Sequence, residues 1–98
     1  MTVPHTYRSI MRTRYVAECF WSGIQDRDLH ELDQRINRSG QGTSVRYLGW
    51  LRVLDDEVLL VLFEGPIGTV RRVVEQAQVP FERLLQVSCH FTDQEETE

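Results

Sequence analysis

Lysine is missing from this chain: all eleven basic residues are arginine, set against fifteen acidic residues and a formal net charge of −4. That deficit of positive charge argues against a nucleic-acid partner, because such proteins draw most of their affinity from clustered Lys and Arg that neutralise phosphates. Arg8, Arg12 and Arg14 form a small, isolated basic cluster, and it reads as part of a solvated N-terminal arm. Cysteine is scarce too. The two residues, Cys19 and Cys89, form no Cys-x-x-Cys, and the three histidines form no His-x-x-x-His, so no single-chain metal motif is present. No apolar run approaches the ~20 residues of a membrane span. The run YVAECFW follows basic residues but is too short for a secretory leader and carries Glu18 where such a leader is apolar. A cytoplasmic protein without a membrane partner is therefore expected, with Cys19 and Cys89 as two buried thiols rather than a disulfide. Internal repeats and low-complexity linkers are also lacking.

What the chain does contain is one domain's worth of strongly patterned sequence. Its 98 residues, 41% hydrophobic and 27% charged, match ordinary globular usage. Residues 1–13 show no sustained periodicity and read as an arm. The domain then runs over 14–91, followed by an acidic tail at 92–98. YVAECFW is rich in aromatic and β-branched residues and stops at Ser22-Gly23, as a strand before a turn does. Asp26 is placed to cap a helix over about 26–38, with Asp28 in its positive first turn and Leu29, Leu32 and Ile36 at helical spacing. VRYLGWLRVLDDEVLLVLFEG gives two strands around Asp55-Asp56-Glu57, and Gly49 marks a bulge or a close backbone approach. Val70, Val73, Val74 and Ala77 share a face of a second helix that Val79-Pro80 ends, and a last strand is expected over about 83–91.

This order, β-α-β-β-α-β, predicts an α+β, ferredoxin-like fold: a four-stranded antiparallel sheet with both helices on one face. VLLVLF is apolar on both of its faces. The helix-free side of the sheet would then be an unusually large exposed apolar surface, which predicts a homodimer.

The same residues carry a resemblance. The Glu inside the first strand, the YLG stretch, the FE-x-P step at Phe63-Glu64-Gly65-Pro66 and the run VPFERLLQV resemble a bacterial family of small dimeric α/β-barrel proteins of unknown function, one branch of which is described as nickel-binding. The likeness covers roughly residues 15–88. It implies the dimer, and it implies a metal cofactor, nickel or another divalent ion, without placing the ligands.

Strict alternation puts Glu18 on one face with Val16 and Phe20. The same counting groups Gln86, Ser88 and His90 on the last strand, and Trp50 and Arg52 on the second. These residues are the candidate ligand-binding set: Glu18, Trp50, Arg52, Gln86 and Ser88 around a pocket between two sheets, with Glu18 and His90 as candidate metal ligands. Against this stands a plainer reading of Glu18 as half of an ion pair with an arginine at a subunit interface, and one residue of register error would scatter the group. His5 lies in the arm, His30 reads as solvated, His90 has the plainer reading of a capping or hydrogen-bonded residue, and Cys19 and Cys89 read as packing residues without a base beside them. The leading functional expectation is a dimer, non-enzymatic or of unassigned activity, that binds a small molecule or a metal ion between its two sheets. The alternative is a dimeric-barrel enzyme, such as a cofactor-independent monooxygenase or an isomerase, with Glu18 or His90 as acid or base. An RNA-binding domain of this fold needs stacking aromatics with basic flanks on the third strand, and EVLLVLFEG has neither.

Overall fold

Tyr15, Ala17 and Cys19 alternate with Val16, Glu18 and Phe20, and β-branched and aromatic side chains of this kind favour a pleated strand. In a computed structural model, which describes residues 13–90, this segment is strand β1, Arg14–Phe20. Helix α1 (Asp26–Gly40), β2 (Arg46–Val53), a 3-10 turn (Leu54–Asp56), β3 (Val58–Glu64), helix α2 (Ile67–Gln76) and β4 (Phe81–Val87) follow in order. Nearly all of the expected arm and tail lies outside the described residues. Arg14 is an exception to the solvated cluster, since it opens β1 and is ion-paired.

The sheet order is β2-β3-β1-β4, with every neighbouring pair antiparallel. Together with two helices against one face, this is the ferredoxin-like α+β arrangement expected from the element order. That face of the sheet supplies Ala17, Cys19, Leu59, Val61 and Phe63 to the core. Leu29, Leu32 and Ile36 of α1 and Val70, Val73 and Val74 of α2 close over them. Each such side chain contributes about 1.5–3 kcal/mol when fully buried, so this single layer holds most of the stability.

Polar contacts fix how the helices sit. Arg35 of α1 donates from Nε to the Ala77 carbonyl at 2.8 Å, and Ser39 Oγ donates to the Val73 carbonyl at 2.9 Å. The Ala77 carbonyl, at the C-cap of α2, is thereby satisfied by the neighbouring helix, while the Val73 carbonyl accepts from Ser39 in addition to the Ala77 backbone N–H. Tyr47 of β2 donates its hydroxyl to the Asp33 carboxylate on α1, while its ring lies 5.7 Å from that of Phe63.

Three local expectations change. Gln25, not Asp26, precedes α1; Asp26 is the first helical residue, and the Asp28 carboxylate accepts the Gln25 backbone N–H at 2.8 Å. That is the reciprocal half of a capping box, which an acidic residue three positions on makes possible. Strand β4 starts at Phe81 and ends at Val87 because it pairs along β1, whose first residue, Arg14, lies opposite Val87. Of the two cysteines, Cys19 is buried and Cys89 only half-buried, and both are free thiols.

Gly49 does mark a bulge. The β2–β3 register shifts between Tyr47 and Gly49, and Gly49 sits at φ +126°, a conformation other residues rarely adopt.

Candidate functional site

Pairing across the four strands lays out the helix-free face in rows. Val53, Val58 and Phe20 form the first; Leu51, Leu60, Glu18 and Arg83 the second; Gly49, Leu62, Val16 and Leu85 the third; and Arg46, Glu64, Arg14 and Val87 the fourth. Two apolar rows thus alternate with two rows that carry charge. Phe20 and Leu51 are 58% and 57% exposed on this face. Leu60, Leu62 and Leu85 are half-buried.

Glu18 has its counter-charge within the chain. Arg83, directly opposite on β4, donates from Nε to Glu18 Oε1 at 2.7 Å. Cross-strand pairs of opposite charge are favourable at such positions, and the contact holds the Arg83 guanidinium more firmly in its charged form. In the fourth row Glu64, only 4% exposed, accepts from Arg14 Nε at 3.1 Å and lies 3.5 Å from Arg46 Nη1. A carboxylate this buried must be compensated, and the flanking arginines do so.

The expected grouping of Glu18 with Gln86, Ser88, Trp50 and Arg52 does not form, for two reasons of parity and one of strand length. Because Glu18 pairs with Arg83, the helix-free side of β4 carries residues 83, 85 and 87; Gln86, opposite Tyr15, belongs to the other side. Ser88 and His90 lie past the end of β4 and are exposed. On β2 the bulge reverses the alternation. Arg46 stays on the helix-free side, whereas Trp50, opposite Val61, and Arg52, opposite Leu59, turn to the helix side. Trp50 packs against the core. Arg52 donates from Nη2 to the Ile24 carbonyl at 3.0 Å. Glu18 alone of the candidate set lies on the helix-free face.

Counting alternation outward from Glu18 along β4 would have found Arg83 had the strand's start been known. Nothing in the sequence pointed to the Arg14–Glu64–Arg46 row. Among the described residues no group of three or more His, Cys, Asp and Glu side chains is arranged to hold a metal ion, and Glu18 and His90 belong to no such group there. Cys19 is unsuited to nucleophilic work. Burial, aided by the carboxylates of Glu82 and Glu18, pushes its thiol up to about 11, so it stays protonated at neutral pH. Burial and the hydrogen bond to Asp33 likewise raise Tyr47 above the usual phenol range.

The chain matches no protein-family profile, no curated protein and no solved structure. Its class is accordingly given by its architecture, a ferredoxin-like α+β domain with an apolar, charge-ruled sheet face. None of its described helices is long and apolar enough to cross a membrane.

Proposed function

We propose that the protein works as a homodimer whose helix-free sheet faces meet, and that it binds a small polar molecule between them rather than catalysing a reaction. The observation that carries this reading is the row pattern. Exposed Phe20, Leu51 and Val53 adjoin half-buried Val58, Leu60 and Leu62, which makes a contiguous apolar surface of the kind that marks an interface. The Glu18–Arg83 row crosses it with polar groups already paired, so a second sheet can cover them without stranding a charge. An isologous contact would bring two copies of this row together, supplying convergent donors and acceptors inside an apolar enclosure.

A small organic ligand suits this arrangement better than nickel or another metal ion. Arg83 holds Glu18 Oε1, and a guanidinium charge beside the carboxylate disfavours a second cation there. Mass spectrometry of the purified protein under native and denaturing conditions tests the proposal. The expected result is a dimer that releases a bound small molecule on unfolding. A monomer, or a dimer that gains stoichiometric nickel while its Glu18→Gln variant does not, contradicts it.

A further inference from the structure

A separate feature lies at the far end of the sheet from the Arg14–Glu64–Arg46 row, where the loop after β1 meets the β2–β3 turn. Between them is a cavity of about 150 Å³ lined by Trp21, Ile24, Arg52, Leu54, Glu57 and Leu59, among others. Its walls are tied in place. The Trp21 backbone N–H donates to the Glu57 carbonyl at 3.0 Å, Ser22 Oγ donates to the Glu57 carboxylate at 3.3 Å, and Arg52 Nη2 donates to the Ile24 carbonyl at 3.0 Å. Glu57 adopts the left-handed conformation, φ +55° and ψ +41°, at the end of the 3-10 turn. A non-glycine residue held there is strained, and such strain collects where a fold keeps a binding loop in one shape.

Arg52 is the chemically telling residue. It sits on the helix side of β2 by virtue of the Gly49 bulge, is about one-third exposed, and has only a loose 4.0 Å approach to the fully solvated Asp26 as an ion pair. A guanidinium offers five N–H donors, and the Ile24 carbonyl takes one of them. With Nη2 on the Ile24 carbonyl and Nη1 only loosely approached by Asp26, the remaining N–H donors, beside an indole and aliphatic side chains, match a carboxylate attached to a compact apolar body. The volume sets the size: a cavity of roughly 150 Å³ accommodates a body about as large as benzene. Glu57 at the same cavity sets the charge, since its carboxylate disfavours a second negative group on the ligand.

We propose that this cavity is a binding site for a small monocarboxylate with a compact apolar body, held through Arg52 and packed against Trp21. The cavity borders the helix-free face, sharing Val53 and Val58 with its first row, but Arg52 and Trp21 lie off that face, and binding there does not require a second sheet.

Benzoate is the probe, titrated into the full chain up to about 10 mM and followed by the ¹H–¹⁵N correlation signal of the Trp21 indole N–H. Saturable shifts at Trp21 and around Arg52 are expected. Benzamide, of the same shape without the charge, and phthalate, with a second carboxylate, should each bind about tenfold more weakly or worse. Arg52→Gln should lose benzoate binding, and Arg52→Lys, which keeps the charge but not the fork, should recover only part of it. If Arg52→Gln unfolds because the tie to Ile24 is lost, the comparison of benzoate with benzamide on the unaltered chain still decides. Equal shifts from benzoate and benzamide, shifts that do not saturate, or shifts confined to the helix-free face overturn the proposal. The Leu51→Glu variant separates it from the interface reading: benzoate binding should survive there, and its loss would assign the site to the interface instead.

Discussion

Changing Glu18 to glutamine keeps the side-chain shape and removes one charge, so its cost reports what surrounds the pair. Within one chain Arg83 is 62% exposed and Glu18 17% exposed. Water can solvate the guanidinium left behind, and a partly exposed pair of this kind contributes only about 0.2–1 kcal/mol. Beneath a second sheet both groups lose that water, and the stranded Arg83 costs about 3 kcal/mol or more. A sheet-on-sheet dimer therefore predicts the larger loss. For a domain of this size that is a fall in melting temperature of roughly 10–20 °C. The deficit should appear at high protein concentration and shrink on dilution, because dissociation exposes Arg83 to water again. Glu18→Gln/Arg83→Gln should recover much of the loss, since both charges are then gone. Urea and thermal melts at two concentrations are the assay. A cost below about 1 kcal/mol that is the same at both concentrations refutes the idea that this row is covered.

Other outcomes follow from single features of the fold. Gly65 sits at φ +149°, and a Cβ there would lie 3.2 Å from the Ser44 carbonyl oxygen and 3.3 Å from Val45 Cα, so Gly65→Ala should cost about 1–3 kcal/mol in urea melts. Phe63→Ala removes the largest wholly buried side chain and should cost about 3–5 kcal/mol; less than 2 would mean that the core collapses around the gap. The folded Cys19 thiol holds its proton to about pH 11 against an ordinary value of 9.0, so its contribution is complete below pH 9 and fades as the pH rises towards 11. The decline should amount to about 2 kcal/mol. Tyr47, raised in the same sense, adds to it. A Cys19→Ala variant should show a shallower alkaline decline in chemical-denaturation curves recorded from pH 8 to 11, and an unchanged slope would contradict this assignment.

The elements and their order could be read directly from residues, because each carries its period locally. Alternation in YVAECFW, the 3-4 spacing of Leu29, Leu32 and Ile36, and the shared face of Val70, Val73 and Val74 need no long-range information. Side-chain parity across the sheet does need it. Which residues of β4 join Glu18 depends on where the strand begins, and its limits are set by β1, some sixty residues earlier in the chain. On β2 a single bulge sends Trp50 and Arg52 to the side opposite Arg46, although Gly49 itself was recognisable as a place where this could happen. Glu18 was legible as the odd residue in its strand, and its arginine partner was anticipated as a type but not as Arg83. The fourth row stayed hidden, because Arg14 read as part of the arm's basic cluster and Glu64 only as part of the FE-x-P step. The role of Arg35 at the end of α2 was equally invisible, since it rests on how two helices pack.

The central claim, that the helix-free face is covered by a second copy of the chain, is tested most directly by light scattering on a sizing column. The wild-type chain should give about twice its 11.5 kDa mass at micromolar concentration. Leu51→Glu, at a position that is 57% exposed in the single chain, should leave folding within about 0.5 kcal/mol and return the mass to that of one chain. A wild-type mass of 11.5 kDa, unchanged by Leu51→Glu, would contradict the account.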